Sequence, residues 1–229
     1  MKILIIHGQN HKGSTYHIAH MLAEKIKGDI KEFFLPRDFG EFCVGCTKCF
    51  MESEKKCSHY EKLKPLTDAM DEADVIILAS PVYVYHVTGA MKTFLDHYGY
   101  RWMVHRPQES MFRKQGVCIS TAAGAGMKPT NKDMADSLFF WGVAKRYQYG
   151  VRVAAVNWNG VSEKKKCAID KATSGIAKKI VNNSKHVKPG IKTRAMFWAM
   201  HFAQRKGFNP CDAEYWKSKG WTGKKRPWK

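Results

Sequence analysis

Short β-rich runs alternate with stretches of helical periodicity over the first two thirds of the chain. The β-rich runs lie at Lys2–His7, Asp29–Phe34, Val75–Ser80, Gln115–Thr121 and Val151–Trp158. Apolar residues recur at helical spacing at Ile18, Met21, Leu22 and Ile26 and at Leu63, Leu66 and Met70, and further helices are predicted over Thr88–His97, Asn131–Trp141 and Ser162–Lys185. This alternation predicts an α/β fold in which helices cover both faces of a parallel sheet.

Five strands with five intervening or following helices are the count of a flavodoxin-like doubly wound domain. Right-handed crossovers restrict such a chain to a few strand orders, of which 2-1-3-4-5 is expected for this count. In that order the loops after the first, third and fourth strands meet at the topological switch point, where ligands bind.

The pattern changes after Lys185. The segment Lys188-Pro189-Gly190 interrupts the chain, and apolar positions at Ile191, Ala195, Trp198 and Phe202 then predict one more amphipathic helix. We therefore expect a first domain over residues 1–186 and a basic, aromatic helical appendage over residues 187–229. The appendage is too short for an independent domain, and its aromatic residues are expected to pack on the first domain or across a dimer interface.

The net charge of +19 raises the question of nucleic acid or an anionic membrane as a partner. From Gly160 onward, 18 Lys and Arg stand against 4 acidic residues, so +14 of the +19 lies in the last third. Because this excess lies outside the ligand-capable loops and carries no recognised motif, nucleic acid is not expected as a partner. We interpret the lysines of this last third as the solvated faces of helices. The alternative is that they attract anionic cofactors, acidic electron-transfer partners or a membrane surface.

The cysteine pattern and the apolar runs bear on the compartment. No run approaches the roughly 20 apolar residues of a membrane span, and His7 and Gly8 cut short the apolar start. Four of the seven cysteines crowd together, which in a reducing compartment suggests metal or redox chemistry before disulfides. A cytoplasmic protein without a transmembrane segment is therefore expected.

The loop after the first strand, from Gly8 to Thr15, leads directly into the first helix. Free N–H groups at the helix start and the hydroxyls of Ser14 and Thr15 suit a phosphate; the alternative is that either residue serves only as a helix N-cap, and the two roles can coexist. The loop has Gly-x-x-x-x-Gly spacing, but Ser14 stands where a P-loop needs lysine, and no Gly-x-Gly-x-x-Gly occurs. Both observations weaken nucleotide triphosphate and Rossmann interpretations.

Two further loops follow the third and fourth strands. Pro81, Tyr83 and His86 are suited to forming a rigid wall for a flat heteroaromatic ring, although residues near strand ends are as often packing residues. The small residues from Thr121 to Gly126 let the backbone approach a ligand closely. The coincidence of three such loops at one sheet edge carries more weight than any one of them.

The cysteines Cys43, Cys46, Cys49 and Cys57 form a compact Cys-x-x-Cys-x-x-Cys pattern with a fourth member after seven intervening residues. Four thiolates at this spacing suit a [4Fe–4S] cluster, and free or redox-active thiols remain the alternative. Zinc fits less well, because structural zinc sites usually pair two separated Cys-x-x-Cys knuckles. Since the pattern lies between the second and third strands, we expect the four residues to act as a unit towards the edge of the ring site.

Several of these stretches together resemble the flavodoxin-like NAD(P)H-dependent FMN reductases and their relatives, the iron–sulfur flavoproteins. The resemblance spans about Met1 to Lys185. It rests on Gly13-Ser14-Thr15, Cys43-x-x-Cys46-x-x-Cys49, Ala73-Asp74-Val75-Ile76, Ser80-Pro81-Val82-Tyr83 and Thr121-Ala122-Ala123-Gly124. The opening Gly8-Gln9-Asn10-His11 departs from the Gly-Ser-Pro-Arg that is frequent in the family.

The resemblance implies a set of residues for FMN. It assigns Gln9, Asn10, Lys12, Ser14 and Thr15 to the phosphate, Pro81, Val82, Tyr83 and Val84 to the isoalloxazine ring, and Thr121, Ala122, Ala123 and Gly124 to the ring edge. Tyr83 and His86 are the polar groups expected beside the flavin, which needs no side-chain nucleophile.

The function implied is an FMN-dependent oxidoreductase that uses NADH or NADPH to reduce a quinone, flavin, nitro compound or similar acceptor. The alternative is an iron–sulfur flavoprotein that carries electrons between protein partners. A homodimer or homotetramer is expected, with a small molecule or a protein as electron acceptor.

Overall fold

A five-stranded, all-parallel sheet organises the computed structural model, which describes all 229 residues. The strands are β1 (Lys2–His7), β2 (Asp29–Phe34), β3 (Val75–Pro81), β4 (Gln115–Ala122) and β5 (Lys145–Arg152). They lie in the order β2-β1-β3-β4-β5, so the predicted flavodoxin-like doubly wound fold is confirmed.

Eight α-helices accompany the sheet. They are α1 (Ser14–Ile26), α2 (Lys48–Met51), α3 (Tyr60–Glu72), α4 (Gly89–Asp96), α5 (Met127–Phe140), α6 (Glu163–Asn183), α7 (Ile191–Arg205) and α8 (Pro210–Ser218). Short 3-10 turns lie at Glu54–Lys56, Gly99–Arg101, Glu109–Arg113 and Ser184–His186. None of the helices combines the length and apolar composition that a membrane span requires.

The central strands are apolar on both faces because each face is covered by helices. Leu4, Ile76 and their neighbours pack against α3, α4 and α5 in one core cluster. Ile5 and Ile77 point the opposite way, into a second cluster with α1 and α6. This alternation within a continuous apolar run is what a buried parallel strand requires.

The predicted position of the fifth strand, Val151–Trp158, is wrong for all but its first two residues. The strand is Lys145–Arg152, an edge strand in which Tyr147, Tyr149 and Val151 pack inward while the residues between them are more exposed. An edge strand needs no continuous apolar run, so polar residues interrupt the pattern. Helix α5 also begins four residues before the predicted start at Asn131.

The last two helices pack onto the connection between α4 and β4. Phe197, Trp216 and Trp221 are fully buried against Met103 and Phe112 in a third core cluster. Trp216 donates its indole N–H to the carbonyl of His105 at 2.6 Å. Phe197, Trp216 and Trp221 therefore pack on the preceding part of the same chain, whereas Phe202 and Phe208 are exposed.

Candidate functional site

The carboxyl ends of β1, β3 and β4 form one cleft of about 250 Å³. Its lining comprises Gln9, His11, Gly13, Ser14, Thr15, Pro81, Val82, Tyr83, Thr121, Ala122, Ala123, Val153, Ala155 and Val156. Backbone bonds from Gly8 N–H to the Ala79 carbonyl (2.7 Å) and from Val82 N–H to the Thr121 carbonyl (2.8 Å) tie the three strand ends together. The cleft lies where the strand order predicts a ligand site.

Gly8 lets the ends of β1 and β3 approach each other closely. A Cβ at this position would lie 3.0 Å from Thr88 Oγ1 and 3.1 Å from the side chain of Ser80. Thr88 donates its hydroxyl to the Gly8 carbonyl and also caps α4 by accepting the Met91 N–H. The first loop is therefore fixed to the start of α4 beneath the cleft.

The first turn of α1 presents free hydrogen-bond donors to the cleft. Gly13 is the N-cap residue and supplies no side chain, and the backbone N–H groups of Ser14, Thr15 and Tyr16 have no acceptor within the chain. Such donors, together with the helix dipole, favour an anion. Lys12 adds a positive charge next to this turn, with its ammonium 5.2 Å from the Tyr16 ring centre.

Side-chain hydrogen bonds connect the loops around the cleft. The buried hydroxyls of Thr15 and Thr121 lie 2.6 Å apart and join α1 to β4. Tyr83 donates its hydroxyl to Gln9 Oε1 at 2.7 Å, and Gln9 Nε2 lies 3.0 Å from His11 Nε2. Gln9 thus links the first loop, next to the start of α1, to the aromatic wall of the cleft.

A tight turn carries the exposed apolar side chains of the third-strand loop. Tyr83 and His86 pair through both backbone hydrogen bonds, and Val84 and Tyr85 between them have φ values of 48° and 67°. Positive φ at both central positions of a two-residue loop costs energy for residues other than glycine and asparagine. Such strain is concentrated at functional sites, and here it displays Val84 with 94% of its surface exposed.

Sequence reasoning missed the wall formed by Val153, Ala155 and Val156. These residues follow β5, and they were assigned to the strand itself because their apolar run resembled one. Val156 is fully exposed at the cleft, although it is β-branched and apolar. An exposed apolar run after a polar edge strand is the signal that would have identified this wall.

Four of the predicted cofactor-binding residues lie outside the cleft lining: Asn10, Lys12, Val84 and Gly124. His86 also lies outside. Its Nδ1 is 3.0 Å from Asp133 Oδ2, and both residues line a neighbouring cavity with Trp102. The nine other predicted cofactor-binding residues converge on the cleft.

The four clustered cysteines line a second, smaller cavity of about 60 Å³. Gly45 and Thr47 have positive φ values, which turn the chain so that the thiols of Cys43, Cys46 and Cys49 face that of Cys57. Burial and the three neighbouring thiols raise the pKa of Cys49 to about 11. All seven cysteines of the chain are free thiols.

Two histidines border the cysteine cavity. His59 Nδ1 lies 2.9 Å from His97 Nε2, and His97 Nδ1 lies 2.8 Å from the carbonyl of Thr93. Because the carbonyl only accepts, His97 donates from Nδ1 and, when neutral, accepts from His59. Burial lowers the pKa of His97, which favours this neutral form.

Helix α4 separates the two cavities. Its N-cap Thr88 is bonded to the first loop beneath the cleft, whereas His97, the residue after its last turn, borders the cysteine cavity. Eight helical residues span roughly 12 Å, and no residue lines both cavities. The four cysteines line one cavity at the far end of this helix rather than the cleft, so the expected position beside the ring site is not what the structure shows.

Comparison with known proteins places these sites in a family context. The sequence model of the family described as NADPH-dependent FMN reductase matches residues 1–153. An iron-sulfur flavoprotein of Archaeoglobus fulgidus is 39% identical over 88 residues, which are 37% of this chain and 36% of that protein. An NADPH azoreductase of a Bacillus species is 30% identical over 130 residues, which are 55% and 61% of the two chains. The matches thus span about a third to three fifths of these relatives' own lengths.

Solved structures share the fold at low sequence identity. A flavone reductase superimposes with a TM-score of 0.59 at 18% identity, covering 83% of this chain and 66% of its own. An FMN-dependent NADH-azoreductase from Bacillus anthracis, solved in complex with FMN, gives a TM-score of 0.57 at 12% identity, covering 77% and 100%.

Proposed function

This chain belongs to the NADPH-dependent FMN reductase family, and from that premise we propose that it binds FMN in the cleft and transfers electrons from a reduced nicotinamide nucleotide to an acceptor. The observation that carries the proposal is the pairing, in one cleft, of unbonded helix N–H groups at one end with exposed apolar walls at the other.

The residues present fit the phosphate of FMN. The N–H groups of Ser14 and Thr15 and the hydroxyl of Ser14 lack partners in the chain, and phosphate oxygens accept such bonds. Lys12 supplies charge, and Gln9 and Asn10 border the same loop. We propose these five residues as the phosphate site.

The walls fit a flat ring. Pro81, Val82 and Tyr83 line one part of the cleft, Thr121 to Ala123 line another, and Val156 joins them from the loop after β5. Val84 at the exposed tip of the turn covers the ring in this proposal. Burial of these apolar surfaces against the ring supplies binding energy in proportion to the area removed from water.

Bound FMN supplies the redox chemistry, in which a hydride is accepted from the nicotinamide and electrons are passed on. The chain's own residues bind, orient and exclude water. Tyr83 is the polar side chain that we propose beside the ring, with its hydroxyl oriented by Gln9. His86, which is held by Asp133, takes no part in this proposal.

Fluorescence titration of apoprotein with FMN tests the binding site. Ser14→Ala removes a hydroxyl at the start of α1, and we expect FMN affinity to fall about tenfold, which equals 1.4 kcal/mol. Ser162→Ala makes the same change at the N-cap of α6, which does not line the cleft, and is expected to leave affinity unchanged. Failure of the wild-type protein to bind FMN at micromolar concentration would overturn the proposal.

Stopped-flow mixing of the FMN-loaded protein with NADH or NADPH tests the electron donor. Loss of the flavin absorbance is the expected result. Quinones, free flavins, nitro compounds and azo dyes should then be compared as acceptors by their kcat/KM values. The azo dyes enter this panel because a relative is an azoreductase.

A second candidate function is electron transfer through an iron–sulfur cluster. It is favoured by the convergence of four thiols on one cavity and by the similarity to iron–sulfur flavoproteins. We propose that Cys43, Cys46, Cys49 and Cys57 are the ligands of a [4Fe–4S] centre, which would pass electrons singly to a protein partner.

Iron and acid-labile sulfide measured after anaerobic purification test this candidate. A [4Fe–4S] centre requires four of each per chain. Cys46→Ser should abolish the iron and spare FMN, whereas Cys167→Ser, an exposed cysteine on α6, should change neither. Wild-type protein with FMN but no iron or sulfide after reconstitution would exclude the cluster and leave the flavin proposal intact.

A further inference from the structure

Three side chains from different elements converge at the edge of the sheet beside β2. His7 ends β1, His20 lies on α1 and Glu32 lies on β2. The Nε2 atoms of both imidazoles lie 2.7 Å from the same carboxylate oxygen, Glu32 Oε1. All three donor atoms lie within 4.8 Å of one another. None of these residues lines the FMN cleft or the cysteine cavity.

Aromatic packing holds the two imidazoles in place. The His7 ring stacks on Phe34 with centres 4.4 Å apart, and it lies nearly parallel to the His20 ring at 6.3 Å. Tyr16 contacts both histidines, with ring centres 5.2 and 4.3 Å away. The donor atoms are thus oriented before any ligand arrives, which reduces the entropic cost of binding.

The cluster is sheltered but reachable from solvent. The side chain of His7 is only 4% exposed, whereas those of His20 and Glu32 are 23% and 24% exposed. An ion can therefore approach from the side of α1 and β2 and reach a largely buried imidazole.

We propose that His7, His20 and Glu32 form a binding site for a divalent transition metal of the zinc type. Two imidazoles and one carboxylate are a common three-ligand set for Zn²⁺, with water in the fourth position. At metal–ligand distances of about 2.0–2.2 Å, tetrahedral ligands lie roughly 3.3 Å apart. On binding, each imidazole would withdraw from Glu32 by about 0.6 Å, and the two imidazole nitrogens, which lie within 4.8 Å of each other, would adopt the same spacing. The single proton of each neutral imidazole resides on Nδ1 in the bound form.

The proposed metal site is directly connected to the first loop of the cleft. His7 is followed directly by Gly8, the first residue of the proposed phosphate loop. A metal ion that joins β1, α1 and β2 would fix the end of β1 from the side opposite α4. We therefore expect the ion to stabilise the fold, and the proposal does not depend on FMN binding.

Crystals of the FMN-loaded protein soaked in ZnCl₂ and measured on both sides of the zinc absorption edge test the proposal by position. An anomalous peak between His7, His20 and Glu32 is expected. This readout separates the site from zinc held by the cysteine thiols. The absence of a peak there would overturn the proposal.

Zinc occupancy of this site in crystals of variants, followed by the same anomalous signal over a series of zinc concentrations, provides the matched controls, because a solution titration would also count zinc held by the cysteine thiols. Glu32→Gln keeps an oxygen that accepts both imidazole hydrogen bonds but removes the charge, and it should weaken zinc binding at this site by more than about tenfold. His20→Ala should abolish it. His17→Ala changes a histidine on the same helix that packs on Trp158, and it should leave binding unchanged. Equal zinc binding by wild type and Glu32→Gln would show that the triad is only a hydrogen-bond network.

Discussion

At the scale of the residue, the hydrogen bond between the buried hydroxyls of Thr15 and Thr121 can be tested by its contribution to stability. Thr121→Val leaves the Thr15 hydroxyl buried without its partner, and we expect a loss of about 1 kcal/mol in the free energy of unfolding. The double change Thr15→Val with Thr121→Val removes both polar groups and should recover most of that loss. Urea unfolding of the apoprotein measures both values. Additive losses would contradict the pairing.

Lys114 makes stability depend on pH. Its ammonium donates to the carbonyls of Asp71 and Ala73 at the end of α3, and burial lowers its pKa to about 8. Between about pH 8 and 10 the unfolded chain therefore binds a proton at this residue that the folded chain has released. Stability contributed by this group rises with pH in that window, by at most about 1.4 kcal/mol per pH unit.

Comparison of wild type with Lys114→Met isolates this effect from other groups. Urea unfolding at pH 8 and pH 9.5 should give a more positive slope of stability against pH for the wild type than for the variant. Equal slopes would show that Lys114 keeps its ordinary pKa in the folded protein.

At the scale of the element, the turn between β3 and α4 holds Val84 and Tyr85 in a strained backbone conformation that exposes their side chains. Replacing Val84 and Tyr85 by Asn and Gly supplies the residues that two-residue turns with positive φ prefer. We expect the apoprotein to gain about 1 kcal/mol of stability and to bind FMN more weakly, because the side chain that we propose as a cover for the ring is lost. Thermal unfolding and FMN titration measure the two effects.

Lys27 is the control for that change. It also has a positive φ, 61°, but it ends α1 away from the cleft. Lys27→Gly should therefore stabilise the protein to a similar extent without affecting FMN. A loss of FMN affinity in Lys27→Gly would contradict the assignment of the turn to the ring site.

Elements with strong periodicity could be predicted from sequence, and those shaped by neighbours could not. The apolar run of β1 and the helical periodicity of α1 predict these two elements correctly. β2 is also predicted at its observed bounds, although it is an edge strand whose first three residues are exposed. β5 was displaced because it lies at an edge, where half of its residues remain polar. Because the sequence pattern places β5 too late in the chain, it does not identify Val156 as a cleft residue. Ser14, Tyr83 and Thr121 are identified correctly as cleft residues because they lie at or just after the ends of recognisable strands.

At the scale of the whole molecule, Asp212 joins the C-terminal segment to the loop that bears the cysteines. It is 1% exposed and accepts from Arg106 at 2.6 Å and from His105 at 2.7 Å, while Arg106 also donates to the carbonyls of Cys49 and Phe50. Asp212→Asn leaves a buried positive charge unpaired, and we expect a loss of about 3–5 kcal/mol in stability.

The rate at which Cys49 reacts with a thiol reagent tests whether loss of the Asp212 charge also loosens the cysteine loop. Cys49 should react faster with a thiol reagent in Asp212→Asn than in the wild type, because its carbonyl is no longer held firmly. Asp170→Asn, at a more exposed pair with Lys25, should cost less than about 1 kcal/mol and leave Cys49 unchanged. A small effect of Asp212→Asn on both measurements would contradict this coupling.

The sequence pattern predicts the C-terminal segment as an appendage. In the structure this segment contributes buried aromatic residues and hydrogen bonds to the preceding part of the chain. Apolar periodicity identified α7, but α8 is too short and aromatic for its pattern to reveal a helix. The long-range bonds of Asp212 and Trp216 were also beyond prediction, because hydrogen-bond partners more than 100 residues apart leave no local signal.

The hydrogen bonds between the C-terminal segment and the cysteine loop join parts of the chain that are synthesised far apart in time. Asn209 donates to the carbonyl of Phe50, and the Cys211 thiol donates to that of Met51, 160 residues earlier in the chain. A ribosome makes Cys43, Cys46, Cys49 and Cys57 long before these supports emerge. The hydrogen bonds that hold the backbone at Phe50 and Met51 therefore form only after residue 211 has left the ribosome, about 160 residues after the loop itself was made.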